Sequence, residues 1–189
     1  MDTFPQAPNT SYGKILLIDP SGRATPFSIG NRNPQGLAID SQGHVWSTEH
    51  GPEGGDELNL IVEGGNYGWP LASYGVDYGA ERWPFAVNEK NHGEHREPAH
   101  AWVPSIGVSQ LLQITSSSLP RWSGDLIVAS LQAGRLFRIR TSGERVIYVE
   151  SMDISVRIRD LAEARDGRIV LWNDDGQVVT LAVSPPKEK

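Results

Sequence analysis

The 189 residues contain no cysteine, so disulfides and thiolate metal sites are excluded, and redox chemistry gives no hint of compartment. Basic residues are outnumbered, 17 Lys and Arg against 23 Asp and Glu, and the net charge is -6. A nucleic-acid partner needs a basic surface, so that class is not expected. No apolar run is long enough to span a membrane. The opening DTFPQAPNTS has neither a basic n-region nor an apolar core and does not read as a signal peptide. Taken literally this describes an intracellular chain; the alternative is a chain whose export signal lies upstream of Met1. A helical period sustained over three turns is also missing. The nearest candidate, around RDLAEARDG, reads equally well as a strand entering a turn.

What is abundant is turn chemistry. Gly 20 and Pro 13 are spread along the chain rather than clustered, which suits many short strands joined by tight turns. Runs rich in Val, Ile and Leu recur at 14–19, 37–40, 44–48, 57–62, 110–115, 125–130, 135–140, 145–149, 158–162, 168–172 and 177–183. A loose repeat joins them. GLAIDSQGHVWSTE, SQLLQI…WSGDLIVAS and RDLAEARDGRIVLWND each read as strand, Gly turn, strand, and DELNLIV, GRLFRIR and GQVVTLA follow them in turn. Three such units, each of three or four antiparallel strands, suggest propeller blades. The lead-in GKILLIDPSGRATPFSIG reads as outer strands of a preceding blade. The expected fold is all-β, a partial β-propeller over 1–183, with SPPKEK at 184–189 as a disordered tail. Three blades do not close a ring, so completion by further blades or by a second copy is expected. The stretch 72–100 has little strand character and reads as a long loop, a common home for function.

The densest chemistry lies between Gly30 and Pro70. Arg32 offers a planar fork of donors, and Asn33 is held extended by Pro34. His50-Gly51-Pro52 is either an ordinary turn or a place where backbone carbonyls converge on a cation. Asp56 and Glu57 open a strand and point to opposite faces, so one of them faces a given site. The alternative is an exposed acidic strand entry. Farther on, Trp102 and Ser105 suit a flat ligand, or Trp102 packs in the core. Arg157 and Arg159 share one strand face, where two guanidinium groups call for a carboxylate ligand or for pairing with Asp160 or other acids. His44 reads as structural. His92, His95 and His100 match no zinc spacing.

Together GNRNPQGLAID, TEHGPEGGDELNLI, GGNYGWP, WVPSIG, WSGDLIVASLQAGRLFRI and RIRDL resemble, in order and spacing, the glucose/sorbosone dehydrogenase family of soluble quinoproteins. The resemblance implies a six-bladed propeller, of which this chain matches the C-terminal half. It implies pyrroloquinoline quinone (PQQ) and calcium (Ca2+) as cofactors, an aldose as substrate oxidised at C1 to the lactone, and an external electron acceptor. It implies Arg32, Asn33, Trp102, Ser105, Arg157 and Arg159 at the quinone, and the carbonyls of Gly51 and Pro52 on the activating calcium. Glu57, Tyr67 and Asp77 would form a second, structural calcium site. Family members are typically periplasmic or secreted. Asn31 stands where the family often has His, Gln132 near a position that carries Lys in some members, and no segment matches the family's His–Asp base. A non-catalytic binding propeller and a calcium-dependent propeller lactonase are the rival classes.

Overall fold

The computed structural model describes residues 4–79 and 92–181. Among these there is no helix, and hence none long and apolar enough to cross a membrane. The strands, in chain order, are β1 (Ile15–Ile18), β2 (Ala24–Ile29), β3 (Pro34–Ile39), β4 (Val45–Glu49), β5 (Asp56–Ile61), β6 (Gly65–Asn66) and β7 (His100–Trp102). They continue as β8 (Val108–Gln113), β9 (Leu126–Ser130), β10 (Arg135–Ser142), β11 (Arg145–Asp153), β12 (Ile158–Glu163), β13 (Ile169–Asn173) and β14 (Val178–Leu181).

The strands form blade-like sheets. One has the order β3-β4-β5-β7, the next β8-β9-β10-β11, and the third β12-β13-β14. A further sheet, β1-β2-β6, holds the lead-in strands. Each of the three expected repeats is therefore a sheet, with β3, β8 and β12 opening them. β2, read from sequence only as part of the lead-in, pairs antiparallel with β1 and parallel with the two-residue β6. β6 and β7 escape a sequence reading because two or three residues carry no alternation. β7 exists because His100, Ala101 and Trp102 add to the edge of β5, opposite Leu58, Glu57 and Asp56. His100, expected in a loop, thus opens a strand. Residues 182–189, which include the expected tail, and 80–91 of the expected loop lie outside the described residues.

Alternation explains the packing. Trp46, Leu58, Val108, Leu111, Phe137 and Ile139 fill one buried cluster between the first two blades. Ile127, Leu136, Ile158, Leu161, Ile169 and Leu171 belong to a second, between the next two. Hydrogen bonds then lace the inner strands together. The Gly36 amide donates to Thr48 Oγ1 at 3.0 Å, Thr48 Oγ1 to the Ser109 carbonyl at 3.1 Å, and Ser109 Oγ to the Ile158 carbonyl at 2.7 Å. Gly36 is there for space: a Cβ would sit 2.5 Å from the Leu111 amide nitrogen. The close approach of β3 and β8 brings the turns at one end of the blades around a common cleft.

Candidate functional site

That cleft has a volume of about 910 Å3. Turns from every blade supply its walls. Arg32 and Asn33 come from the turn before β3, and residues 50–54 from the turn between β4 and β5. Pro104, Ser105 and Gly107 precede β8, Leu131 and Gln132 follow β9, and Arg157 precedes β12. Tyr78 and Gly79 stand at its edge. The fold thus gathers Arg32 and Asn33, Gly51 and Pro52, Ser105, and Arg157 from four separate places in the chain.

Arg32 is fastened from two sides. Its Nη1 donates to the His50 carbonyl at 3.1 Å, and its guanidinium lies 5.1 Å from the centre of the Trp69 ring. Its amide donates to Glu49 at 3.2 Å. Nε is buried and has no hydrogen-bond partner among the described residues. A buried guanidinium N–H without an acceptor is costly, so this arrangement favours an anionic or carbonyl ligand. Asn33 is exposed, and its side-chain oxygen accepts from Gln35 at 3.0 Å.

Asp56 lies behind the Gly51 turn, almost wholly buried. Its Oδ1 accepts from the Gly51 amide at 3.0 Å and from Ser105 Oγ at 2.8 Å. Its Oδ2 accepts from the amides of Ile106, Gly107 and Val108 at 3.0, 2.7 and 3.1 Å. His50 Nδ1 lies 3.8 Å from Oδ1. Burial by itself would raise this carboxyl's pKa. The contacts from His50, Ser105 and the Val108 and Gly51 amides outweigh it and hold Asp56 below its ordinary value. The carboxylate is therefore charged and fully used. Sequence reading chose Glu57 of the Asp-Glu pair; the residue that organises the cleft wall is Asp56.

Gly51 sits where no other residue fits, since a Cβ would come 2.0 Å from the Gly54 carbonyl oxygen. No hydrogen bond among the described residues ends on the carbonyl of Gly51 or Pro52. Two uncommitted carbonyls beside a cleft are suitable ligands for a hard cation such as calcium. Ser105, opposite, is fixed by Asp56.

Trp102 is elsewhere. It is buried in the core with its ring edge-on to Phe137, 5.6 Å away, and is not part of the cleft wall. Pairing of β7 with β5 turns it inward. Arg157 and Arg159 share a strand face and a partner, but the partner is Asp174 rather than Asp160. Arg157 Nε donates to Asp174 at 2.7 Å. Arg159 also bonds Asp174, and these two arginines, Arg159 first, depress its pKa. Asp160 instead accepts from Gln110 at 2.9 Å. One carboxylate thus serves both guanidinium groups. Only Arg157 of the two reaches the cleft.

Glu57 faces a smaller cavity of about 10 Å3, lined also by Glu49 and Tyr67. It has room for a single water or ion. Both carboxyls are buried, so the exposed reading of Glu57 does not hold. Burial, followed by the charge of Glu57, pushes Glu49 well above the ordinary carboxyl value. Asn59 donates to Glu57 at 3.1 Å, and His92 Nε2 lies 3.2 Å from it. The Tyr67 hydroxyl is committed to the Leu60 carbonyl and the Val62 amide. Asp77 does not line this cavity; its carboxylate accepts the Tyr78 amide at 2.9 Å. No three His, Asp or Glu side chains among the described residues gather as a metal site. The structure thus brings Glu57 and Tyr67 together with Glu49, and leaves Asp77 apart.

Comparison with known proteins fits this geometry. The family model for glucose/sorbosone dehydrogenase matches residues 3–180. The chain belongs to that family. Its sequence is 34% identical to the aldose sugar dehydrogenase YliI of Escherichia coli over 184 residues, which is 93% of this chain and 49% of that protein. A crystal structure of a glucose dehydrogenase superposes with a TM-score of 0.85 at 34% identity, covering 96% of this chain and 57% of the other. The PQQ-bound aldose sugar dehydrogenase of Streptomyces coelicolor superposes with a TM-score of 0.72 at 25% identity, over 92% and 49% of the two chains. The chain spans about half the length of these relatives, and its sheets are part of a propeller.

Proposed function

We propose that this chain supplies the cofactor-holding blades of a PQQ- and calcium-dependent aldose dehydrogenase. The observation that carries this reading is the cleft itself. It gathers Arg32, whose Nε has no acceptor among the described residues, the Gly51-Pro52 turn, whose carbonyls accept no hydrogen bond among the described residues, and Arg157 at the rim. Relatives named for aldose and glucose oxidation, one of them PQQ-bound, support it.

The chemistry supplied on binding would be acceptance of a hydride from C1 of the sugar by the quinone, polarised by calcium as a Lewis acid. An aldose would be oxidised to its lactone and an external acceptor would take the electrons. The chain's own residues hold and orient. Arg32 would hold an oxygen of the quinone, with Asn33 beside it. Ser105 and Arg157 meet the polar and carboxylate groups of the same flat ligand. Gly51 and Pro52 would hold calcium through their carbonyls. Arg159, through Asp174, keeps Arg157 in place. The small cavity at Glu57, Tyr67 and Glu49 would take a structural cation, whose charge would relieve the repulsion between the two carboxylates.

The proton from the sugar hydroxyl needs a base, and no segment here matches the family's His–Asp pair. We therefore expect the 189-residue chain to bind cofactor without turning over sugar. Titration of PQQ into the chain, with CaCl2 or with chelator, tests both parts through tryptophan fluorescence and dye reduction. Saturable quenching that needs calcium, without dye reduction on added glucose, is the expected result. A folded chain that binds no PQQ would point instead to a binding scaffold. Calcium-dependent lactone hydrolysis without quinone binding would point to a lactonase.

A further inference from the structure

We infer that Asp56 is a positioning residue of the cleft: its single buried carboxylate sets the distance between the Gly51-Pro52 carbonyls and Ser105. This rests on the proposed cofactor reading. The two wall segments are about fifty residues apart in sequence; one leads into β5 and the other leaves β7, at the same end of that antiparallel pair. Asp56 is the atom-level link between them. Oδ1 binds one donor from each wall, the Gly51 amide at 3.0 Å and Ser105 Oγ at 2.8 Å. Oδ2 binds three consecutive amides of the Ile106–Val108 turn.

The geometry gives each bond a task. Holding the Gly51 N–H from behind fixes that peptide plane. The carbonyls of Gly51 and Pro52 are then aimed before any cation arrives. Holding Ser105 Oγ from the same oxygen ties the opposite wall to the same point. Three converging N–H dipoles on Oδ2 keep the carboxylate ionised and in one rotamer. The Ile106 and Gly107 carbonyls continue the link, since they accept the amides of residues 131–133, where Leu131 and Gln132 enter the cleft. Such outer partners of a metal site commonly govern metal affinity without touching the ion, with losses of about 10- to 100-fold when removed.

Asn in place of Asp56 tests this. It has one oxygen and one NH2 group, so either the three turn amides or the Gly51 amide must face a donor. Amide hydrogen exchange on the cofactor-free protein reads the positioning directly. In Asp56→Asn, the amides of Gly51 and Gly107 should exchange faster together, while those of β9 and β10 keep their protection. With PQQ present, the calcium concentration for half-saturation should rise about 10- to 100-fold, and excess CaCl2 should restore quinone binding. Ser105→Ala is the milder variant, in case Asp56→Asn does not fold. Without quinone, loss of the Ser105 hydroxyl should still speed exchange at Gly51, an effect that a mere Ser105–quinone contact would not have. Gly51 exchange unchanged in the variants, or calcium dependence unchanged despite faster exchange, overturns the role of Asp56 and leaves the cofactor reading standing. Absence of calcium-dependent PQQ binding by the wild-type chain removes both.

Discussion

Arg32 is held by the His50 carbonyl and the Trp69 ring, with Nε turned to an unsatisfied position. A lysine has no fork with which to keep the His50 contact and present a second donor. Arg32→Lys should weaken PQQ binding at least about ten-fold, the equivalent of one charge-assisted hydrogen bond at roughly 1.5–3 kcal/mol, as measured by fluorescence titration. Asp40 offers a second test at this scale, away from the cleft. Its buried carboxylate accepts Trp46 Nε1 at 2.9 Å, the His44 ring at 2.9 Å and the amides of Gln42 and His44. Burial opposes ionisation, but the bonds from Trp46 and His44 prevail and lower its pKa from 3.8. A carboxyl depressed on folding stabilises above its unfolded pKa, and that stability is lost as pH falls through the folded value. Urea denaturation should therefore find Asp40→Asn less stable than wild type at pH 7, with the gap shrinking below about pH 4.

At the scale of strands, β5 carries both sites. Its alternation sends Asp56 to the main cleft and Glu57 to the small cavity, so one strand separates the two candidate cation positions. β3 and β8 depend on the absence of a side chain at Gly36. Gly36→Ala would press a methyl onto the Leu111 backbone, and overpacking of this kind typically costs about 1–3 kcal/mol. Denaturant melts should show that loss, with weaker PQQ binding because the turns at the cleft separate. Leu58 is fully buried in the cluster between the first two blades, and Leu58→Ala should cost about 2–5 kcal/mol by the same measurement.

Across the molecule, several exposed apolar residues lie on strands of the first, second and last sheets. Leu17 and Ile18 lie on β1, Leu37 and Ile39 on β3, and Trp172 and Val178 on the last sheet, each at least half exposed. Among the described residues the third sheet has three strands where the first two blades have four. We expect these surfaces to be covered by further propeller blades or by a second copy of the chain. Sedimentation should show concentration-dependent association of the 189-residue chain, and a monodisperse monomer across the micromolar range would exclude it. Leu37→Ser with Ile39→Ser should reduce the association.

Much of the fold was legible because strand signals are local. The eleven runs of Val, Ile and Leu all correspond to strands, and the Gly turns between them are where they were expected. β6 and β7 were not legible, since so few residues carry no period. Of the site, Arg32, Asn33, Gly51, Pro52, Ser105 and Arg157 were named from motifs and do line one cleft. The sequence by itself determined the strands, their repeat, the family and the donors and carbonyls in the turns. Tertiary structure alone decided that Trp102 turns to Phe137, that Asp174 pairs both arginines, and that Asp56 rather than Glu57 ties the walls together. Those outcomes depend on register and on groups 15 to 52 residues apart meeting in contact. Sequence pattern records which way a side chain points along its own strand, and not what the fold brings to meet it.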